Sequence, residues 1–146
     1  MELRLFTSEQ ASAMRPYLEA KTKRIRTLKK DLDQSVSRVE VLSVIADSGA
    51  APDNPDTREK ERVSKMARRL AREIQQEVDD IQGRGCVVKD LELGLVDFYS
   101  LRGDRLVFLC WKAGEDEVGY WHTLEGGYAT RRPIEAYEAE EDGPSF

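Results

Sequence analysis

Two incompatible periodicities divide this chain. Leu18, Ile25, Leu28, Leu32, Val39, Leu42 and Ala46 follow a seven-residue repeat of alternating four- and three-residue steps, interrupted by polar Lys21 and Ser35. After a stretch at 49–56 that holds a glycine and two prolines, Val63, Ala67, Leu70, Ile74, Val78 and Ile81 resume a helical spacing. Beyond Gly83 and Gly85 the period drops to two. A stripe at helical spacing buries one side of a helix, whereas strict alternation sorts residues onto the two faces of a strand. The two halves therefore need different structures.

The first half predicts a short strand at 3–6, then a helix opened by Thr7-Ser8-Glu9-Gln10, which has the capping-box layout with Phe6 as a hydrophobic staple. Pro16 kinks that helix or opens a second one, where its fixed φ and missing N–H cost nothing. Two long helices follow, at about 16–48 and about 57–82, with 49–56 as the loop between them, so they pair as an antiparallel hairpin. At 1.5 Å per residue they reach about 50 Å and about 39 Å. The longer stripe outruns its partner, and Val36, Val41, Val44 and Ile45 edge it. That surplus predicts a homodimer through the hairpin.

The second half predicts strands at 86–91, 95–101, 105–112 and 117–124, with Arg102-Gly103-Asp104 and Ala113-Gly114-Glu115-Asp116 as turns. The fold class is α+β: a long antiparallel helical hairpin followed by a small antiparallel β-meander. One domain is expected, with 1–83 the N-terminal strand and helical hairpin, 84–134 the meander and 135–146 an acidic, loosely ordered tail. An even-length loop centred on Glu115-Asp116 sets Trp111 opposite Tyr120, Cys110 opposite Trp121 and Leu109 opposite His122. An odd loop would instead put Cys110 and His122 on one face. Both faces of this hairpin are apolar, so both need cover, one from the helices and the other from a partner subunit or the remaining chain.

Composition narrows the class. No apolar run reaches the roughly 18 residues of a membrane span, and 1–7 lacks the basic-then-apolar layout of a signal peptide, so a cytoplasmic address is expected. Cys86 and Cys110 are too few for a disulfide framework and form no C-x-x-C pair. The net charge of -5 hides a dipole: residues 15–72 hold 15 Lys/Arg and 9 Asp/Glu, and the rest hold 8 and 19. Basic runs at 21–30 and 58–72 suit phosphate backbones, or form solvated helix faces paired at i,i+4 with acids. A sequence pI near 5.1 favours the second.

Chemistry has few carriers. His122 is the sole histidine, Cys110 supplies a thiol, and Asp90, Asp97, Glu92, Glu115, Asp116 and Glu117 supply carboxylates. A histidine with two carboxylates (His122, Asp97 and Glu115) makes a plausible divalent-metal shell, and a Cys–His pair holds zinc or makes a nucleophile. The spacing matches no established metal motif, and a half-buried structural His122 or a buried hydrophobe-like Cys110 accounts for the same residues. Asp97 lies between Val96 and Phe98, so it needs a buried partner, with Arg131 or Arg132 the candidates. Trp111, Tyr120, Trp121 and Tyr128 line a pocket or fill a core. No glycine-rich phosphate loop is present.

The strings DLELGLVDF (90–98), LCWKAGEDEVGYWH (109–122) and GGYATRRP (126–133), with the opening RLFTSEQASAMRPYLE (4–19), together resemble a family of uncharacterised prokaryotic proteins, domain of unknown function 2203. Asp90, Gly94, Leu95, Asp97, Phe98, Cys110, Trp111, Gly114, Glu115, Trp121, His122, Gly127 and Arg131 match its pattern. The resemblance implies a fold and a candidate surface, and no reaction.

Three functions fit these observations. The first is a non-catalytic, homo-oligomeric binding or adaptor protein with a recognition surface on the β-module drawn from Asp90, Asp97, Cys110, Glu115, Trp121, His122 and Arg131. The second is a metal-binding protein or metal-dependent enzyme using His122 with nearby carboxylates. The third, less favoured, is a nucleic-acid-associated protein acting through the basic helices. Whether the chain is an enzyme, and which cofactor beyond a divalent metal it would take, stays open at this level.

Overall fold

The structure, a computed structural model, describes residues 3–47 and 54–134. Helix α1 (Ser8–Ala13) opens on the expected capping box: Thr7 Oγ1 accepts from the Gln10 N–H at 3.1 Å, and Gln10 Oε1 accepts from the Thr7 N–H at 3.0 Å. Helix α2 (Arg15–Asp47) places Pro16 in its first turn, where proline costs no helical hydrogen bond. Helix α3 (Pro55–Gln82) begins two residues earlier than the spacing suggests. Asn54 Oδ1 caps it by accepting from the Asp56 N–H at 2.8 Å, and Pro55 takes the first helical position. The rest of the expected loop, and the acidic tail at 135–146, lie outside the described residues.

Among the described residues, five antiparallel strands follow in meander order: β1 (Cys86–Asp90), β2 (Leu95–Arg102), β3 (Arg105–Lys112), β4 (Tyr120–Thr123) and β5 (Arg132–Pro133). The fold is therefore α+β, a helical hairpin followed by a β-meander. β5 was not expected. The segment 3–6 forms no strand, although Phe6 N donates to Tyr99 O at 2.8 Å and the Ser100 hydroxyl donates to Phe6 O at 2.6 Å.

The chain gathers into two compact units whose borders fall within the long helices, not at the helix–sheet junction near 83. One unit spans Arg24–Glu77; Ile25, Leu28, Leu42, Val63, Leu70 and Ile74 are buried in it. Arg24 with Glu77 at 3.3 Å and Arg38 with Glu59 at 3.2 Å tie its two antiparallel helical segments together. The other joins the chain up to Lys23 with the chain from Val78 onward and holds the sheet.

The register of the β3–β4 hairpin departs from the even-loop expectation. Cys110 pairs with Tyr120, Leu109 with Trp121 and Phe108 with His122, so the loop is odd and centred on Glu115. The cause is the turn itself. Glu115 N donates to Lys112 O at 3.0 Å and the Trp111 indole donates to Glu115 O at 3.0 Å, with Gly114 at φ +99. The chain then leaves the ladder, and Val118 N donates to Ser12 Oγ at 2.9 Å, so β4 starts at Tyr120 and not at 117.

This register sorts the sheet. Val96, Phe98, Val107, Leu109, Trp111 and Trp121 share one buried face, with Phe6 packed edge-on against Phe98 at 5.1 Å between ring centres. Leu95, Asp97, Phe108, Cys110, Tyr120 and His122 share the other.

Candidate metal centre

Strand alternation delivers three reactive side chains to one spot. Asp97 on β2 is the cross-strand partner of Cys110 on β3, and His122 on β4 lies one ladder step away, beside Phe108. One donor atom each from Asp97, Cys110 and His122 all lie within 4.8 Å of one another, and all three residues are buried. They line a pocket of about 80 Å³ whose other walls are Lys89, Leu95, Gly126, Gly127 and Tyr128. The glycine-rich stretch after β4 thus helps to cover the second face of the sheet.

The histidine's proton state follows from its neighbours. Nδ1 sits 2.7 Å from the Thr123 carbonyl oxygen, which can only accept, so Nδ1 carries a hydrogen. Nε2 sits 3.0 Å from Asp97 Oδ2, and both side chains are 2% exposed. An imidazolium donates to both oxygens at once. Burial works to lower the His122 pKa, but the hydrogen bonds to Asp97 and Thr123 and the carboxylate charge outweigh it and raise it above 6.5. Asp97 thus finds the partner its burial demands, but that partner is His122 and not Arg131 or Arg132. Its second oxygen, Oδ1, is buried without a hydrogen-bond partner among the described residues.

Cys110 is a protonated thiol here. Burial, then the Asp97 charge, push its pKa up to about 12. Neither imidazole nitrogen is directed at the sulfur, since Nδ1 serves a carbonyl and Nε2 serves Asp97. The three side chains therefore do not form the Cys–His couple that activates a nucleophile.

Glu115 belongs to a neighbouring site. Its carboxylate takes a two-pronged ion pair from Arg131, at 2.9 and 2.7 Å, and accepts from the Lys112 N–H at 2.7 Å. The Arg131 guanidinium stacks 3.9 Å from the Tyr120 ring centre and 4.4 Å from that of Tyr128. Burial works against its charge, but the Glu115 hydrogen bonds and charge, with Cys110 alongside, raise its pKa above the usual arginine value.

Of the candidate residues, then, Asp97, Cys110 and His122 converge, and Glu115 with Arg131 stands beside them. Asp90 does not join them: its Oδ1 caps the β1–β2 turn by accepting from Glu92 N at 2.9 Å and Leu93 N at 2.8 Å. Trp121 lies on the opposite face, beneath the Arg102 guanidinium at 4.4 Å. Sequence reasoning missed Lys89 as a pocket wall and Gly126 and Gly127 as its cover, whereas Tyr128 was among the aromatic candidates for a pocket lining.

An α+β hairpin-and-meander protein with a buried Asp–Cys–His cluster under a glycine-rich cover is the class these features define. Residues 4–134 match the family of uncharacterized conserved proteins designated domain of unknown function 2203, and the chain belongs to it. No curated protein and no solved structure matches the chain significantly.

Proposed function

We propose that this protein binds a divalent transition-metal ion, zinc foremost, through Asp97, Cys110 and His122. The observation that carries the reading is the convergence of three buried donor types around a small pocket, with one Asp97 oxygen unspent. Thiolate, imidazole and carboxylate are the donors of zinc sites, and three protein ligands leave a fourth position open. The Nδ1–H to Thr123 bond is the outer hydrogen bond that aims Nε2 at a metal. Donor atoms around one tetrahedral zinc lie roughly 3.3–3.7 Å apart, given bonds of about 2.0–2.3 Å. A side-chain adjustment on the order of 1 Å would close the cluster to that spacing.

Charge favours the exchange as well. Carboxylate, imidazolium and thiol sum to zero, and a divalent ion with carboxylate, neutral imidazole and thiolate also sums to zero. Lys89 and Arg131 nearby therefore meet no added positive charge when the ion replaces two protons.

The test is elemental analysis after loading with zinc, cobalt(II) or iron(II) and desalting. About one equivalent should remain on the wild type, and the cobalt form should show a thiolate-to-metal charge-transfer band. Cys110→Ser should lose the band, and His122→Ala should lose the metal. A wild type that retains none of these ions, or variants that retain them in full, would end the proposal.

A second reading, self-association through the helical hairpin, is supported by Val36, Val41, Val44 and Ile45, which stand 38–73% exposed on α2. Sedimentation should then give a dimer at micromolar concentration that Val44→Glu dissociates; a wild-type monomer would remove the reading. Both readings describe a binding protein. Two free, buried thiols are in keeping with a reducing, cytoplasmic compartment, and no helix among the described residues is long and apolar enough to cross a membrane.

A further inference from the structure

The two basic runs of the sequence have different fates in the structure. On α2, Lys21 pairs with Asp80 at 3.0 Å, Arg24 with Glu77 at 3.3 Å, Lys29 with Asp33 at 2.8 Å and Arg38 with Glu59 at 3.2 Å. Lys21, Arg24 and Lys29, three of the six cations at 21–30, are thus paired within the fold. On α3, Arg58, Arg62, Lys65, Arg68, Arg69 and Arg72 are all exposed. Arg58, Arg68, Arg69 and Arg72 have no ion pair among the described residues; Arg62 and Lys65 make only exposed contacts, at 3.7 and 3.6 Å.

The helical period places these six on one side of α3. Each has another of the six three or four residues away, so they stand as neighbours on the surface. Like charges at that spacing destabilise a helix, and among the described residues only Arg62 and Lys65 of the stripe are offset, by Glu59 and Glu61. At 1.5 Å per residue the stripe is about 21 Å long. The opposite side of α3, with Val63, Leu70, Ile74 and Ile81, is buried. The helix therefore has no free apolar face to lay into a bilayer, as a membrane-surface helix requires.

We infer that the α3 stripe is a docking surface for the phosphodiester backbone of a nucleic-acid duplex, engaged through charge and without base readout. This inference is independent of the metal reading, since none of its residues touches the pocket. Binding at this surface is weak and salt-sensitive, because a net charge of -5 opposes approach of any polyanion and only local charge drives contact.

The experiment is fluorescence anisotropy with a labelled 20-base-pair duplex of arbitrary sequence. With about four cations engaged, the log–log salt slope is about -3.6, and affinity falls roughly 100-fold between 50 and 200 mM salt. The variant R68Q/R69Q/R72Q should lose at least about tenfold at 50 mM and flatten the slope by about 2 to 3. R68K/R69K/R72K should keep both, and the charge-matched α2 variant K21Q/R24Q/K29Q should stay within about twofold, with equal helix content by circular dichroism throughout. Absence of binding at 50 mM salt would overturn the inference. So would equal losses in the α2 and α3 glutamine variants, or binding to phosphatidylserine vesicles in place of the duplex.

Discussion

The two faces of the sheet are made by the same strands, one residue apart. Val96 and Phe98 point to one side and Asp97 to the other; Leu109 and Trp111 flank Cys110 in the same way. The first face is packed mainly by apolar shape, and its buried polar groups are neutral: the Ser100 hydroxyl is spent on Phe6 O and the Trp111 indole on Glu115 O. The second face is equally dry at its centre, yet it holds an ion pair, a thiol and an unpartnered carboxylate oxygen. Apolar burial is forgiving of exact partners, whereas a buried charge binds its neighbours to specific atoms and specific protons. The two faces should therefore fail in different ways.

The largest effects separate them by rescue rather than by size. Trp111→Ala should cost about 3–5 kcal/mol through lost transfer energy and the cavity left behind. His122→Ala should cost a similar 3–5 kcal/mol, because it strands the Asp97 carboxylate in a dry site. Replacing both partners, as Asp97→Val with His122→Leu, should recover most of that loss, since no charge then remains to be solvated. Urea unfolding of the three variants measures this. A double variant no more stable than His122→Ala would mean that the pair is stabilising in its own right and that the faces differ less than proposed.

A smaller effect belongs to the rim of the second face. Arg131→Lys keeps the charge but loses the two-pronged geometry on Glu115 and the planar stack on Tyr120 and Tyr128, and should cost about 1–2 kcal/mol. A cost equal to that of Arg131→Ala would show that the guanidinium's shape is what matters. No change at all would show the contact to be incidental.

The difference between the faces was only partly legible in the sequence. Alternation after Gly85 located β1, β2 and β3 to within a residue or two, and the helical period gave α2 and α3. The missing element was register. With Phe108, Cys110, Leu109 and Trp111 all apolar, both sides of β3 look buried, and the signal that normally pins a strand is absent. The turn then decides the pairing through Glu115, which folds back onto Lys112 and Trp111 three and four residues earlier, a local contact that hydrophobic alternation does not register. The odd loop, the alternative to the even-loop expectation, is the arrangement that brings Cys110 and His122 together. The need of Asp97 for a partner could be read from its setting, but the partner's identity depended on that same register.

The smallest and most specific effect is a slope in pH, and only the second face should show it. In the folded chain His122 holds its proton above the 6.5 of an exposed imidazole. The native state therefore binds more protons than the unfolded state through that range, and stability must fall as pH rises. The contribution is complete below pH 6.5 and disappears as pH passes through the raised folded value, at no more than about 1.4 kcal/mol per pH unit. Because His122 is the sole histidine, its ring proton resonance reports the folded pKa without assignment. Asp97→Val/His122→Leu should flatten the slope, whereas Trp111→Ala should shift the whole curve down without tilting it. Metal sharpens the contrast: an ion held by Asp97, Cys110 and His122 competes with the imidazole and thiol protons, so metal-loaded protein should gain stability as pH rises while metal-free protein loses it. Parallel curves for the two forms would mean that the ion binds elsewhere, and a resonance titrating below 6.5 would mean that the imidazolium pair itself is misdrawn.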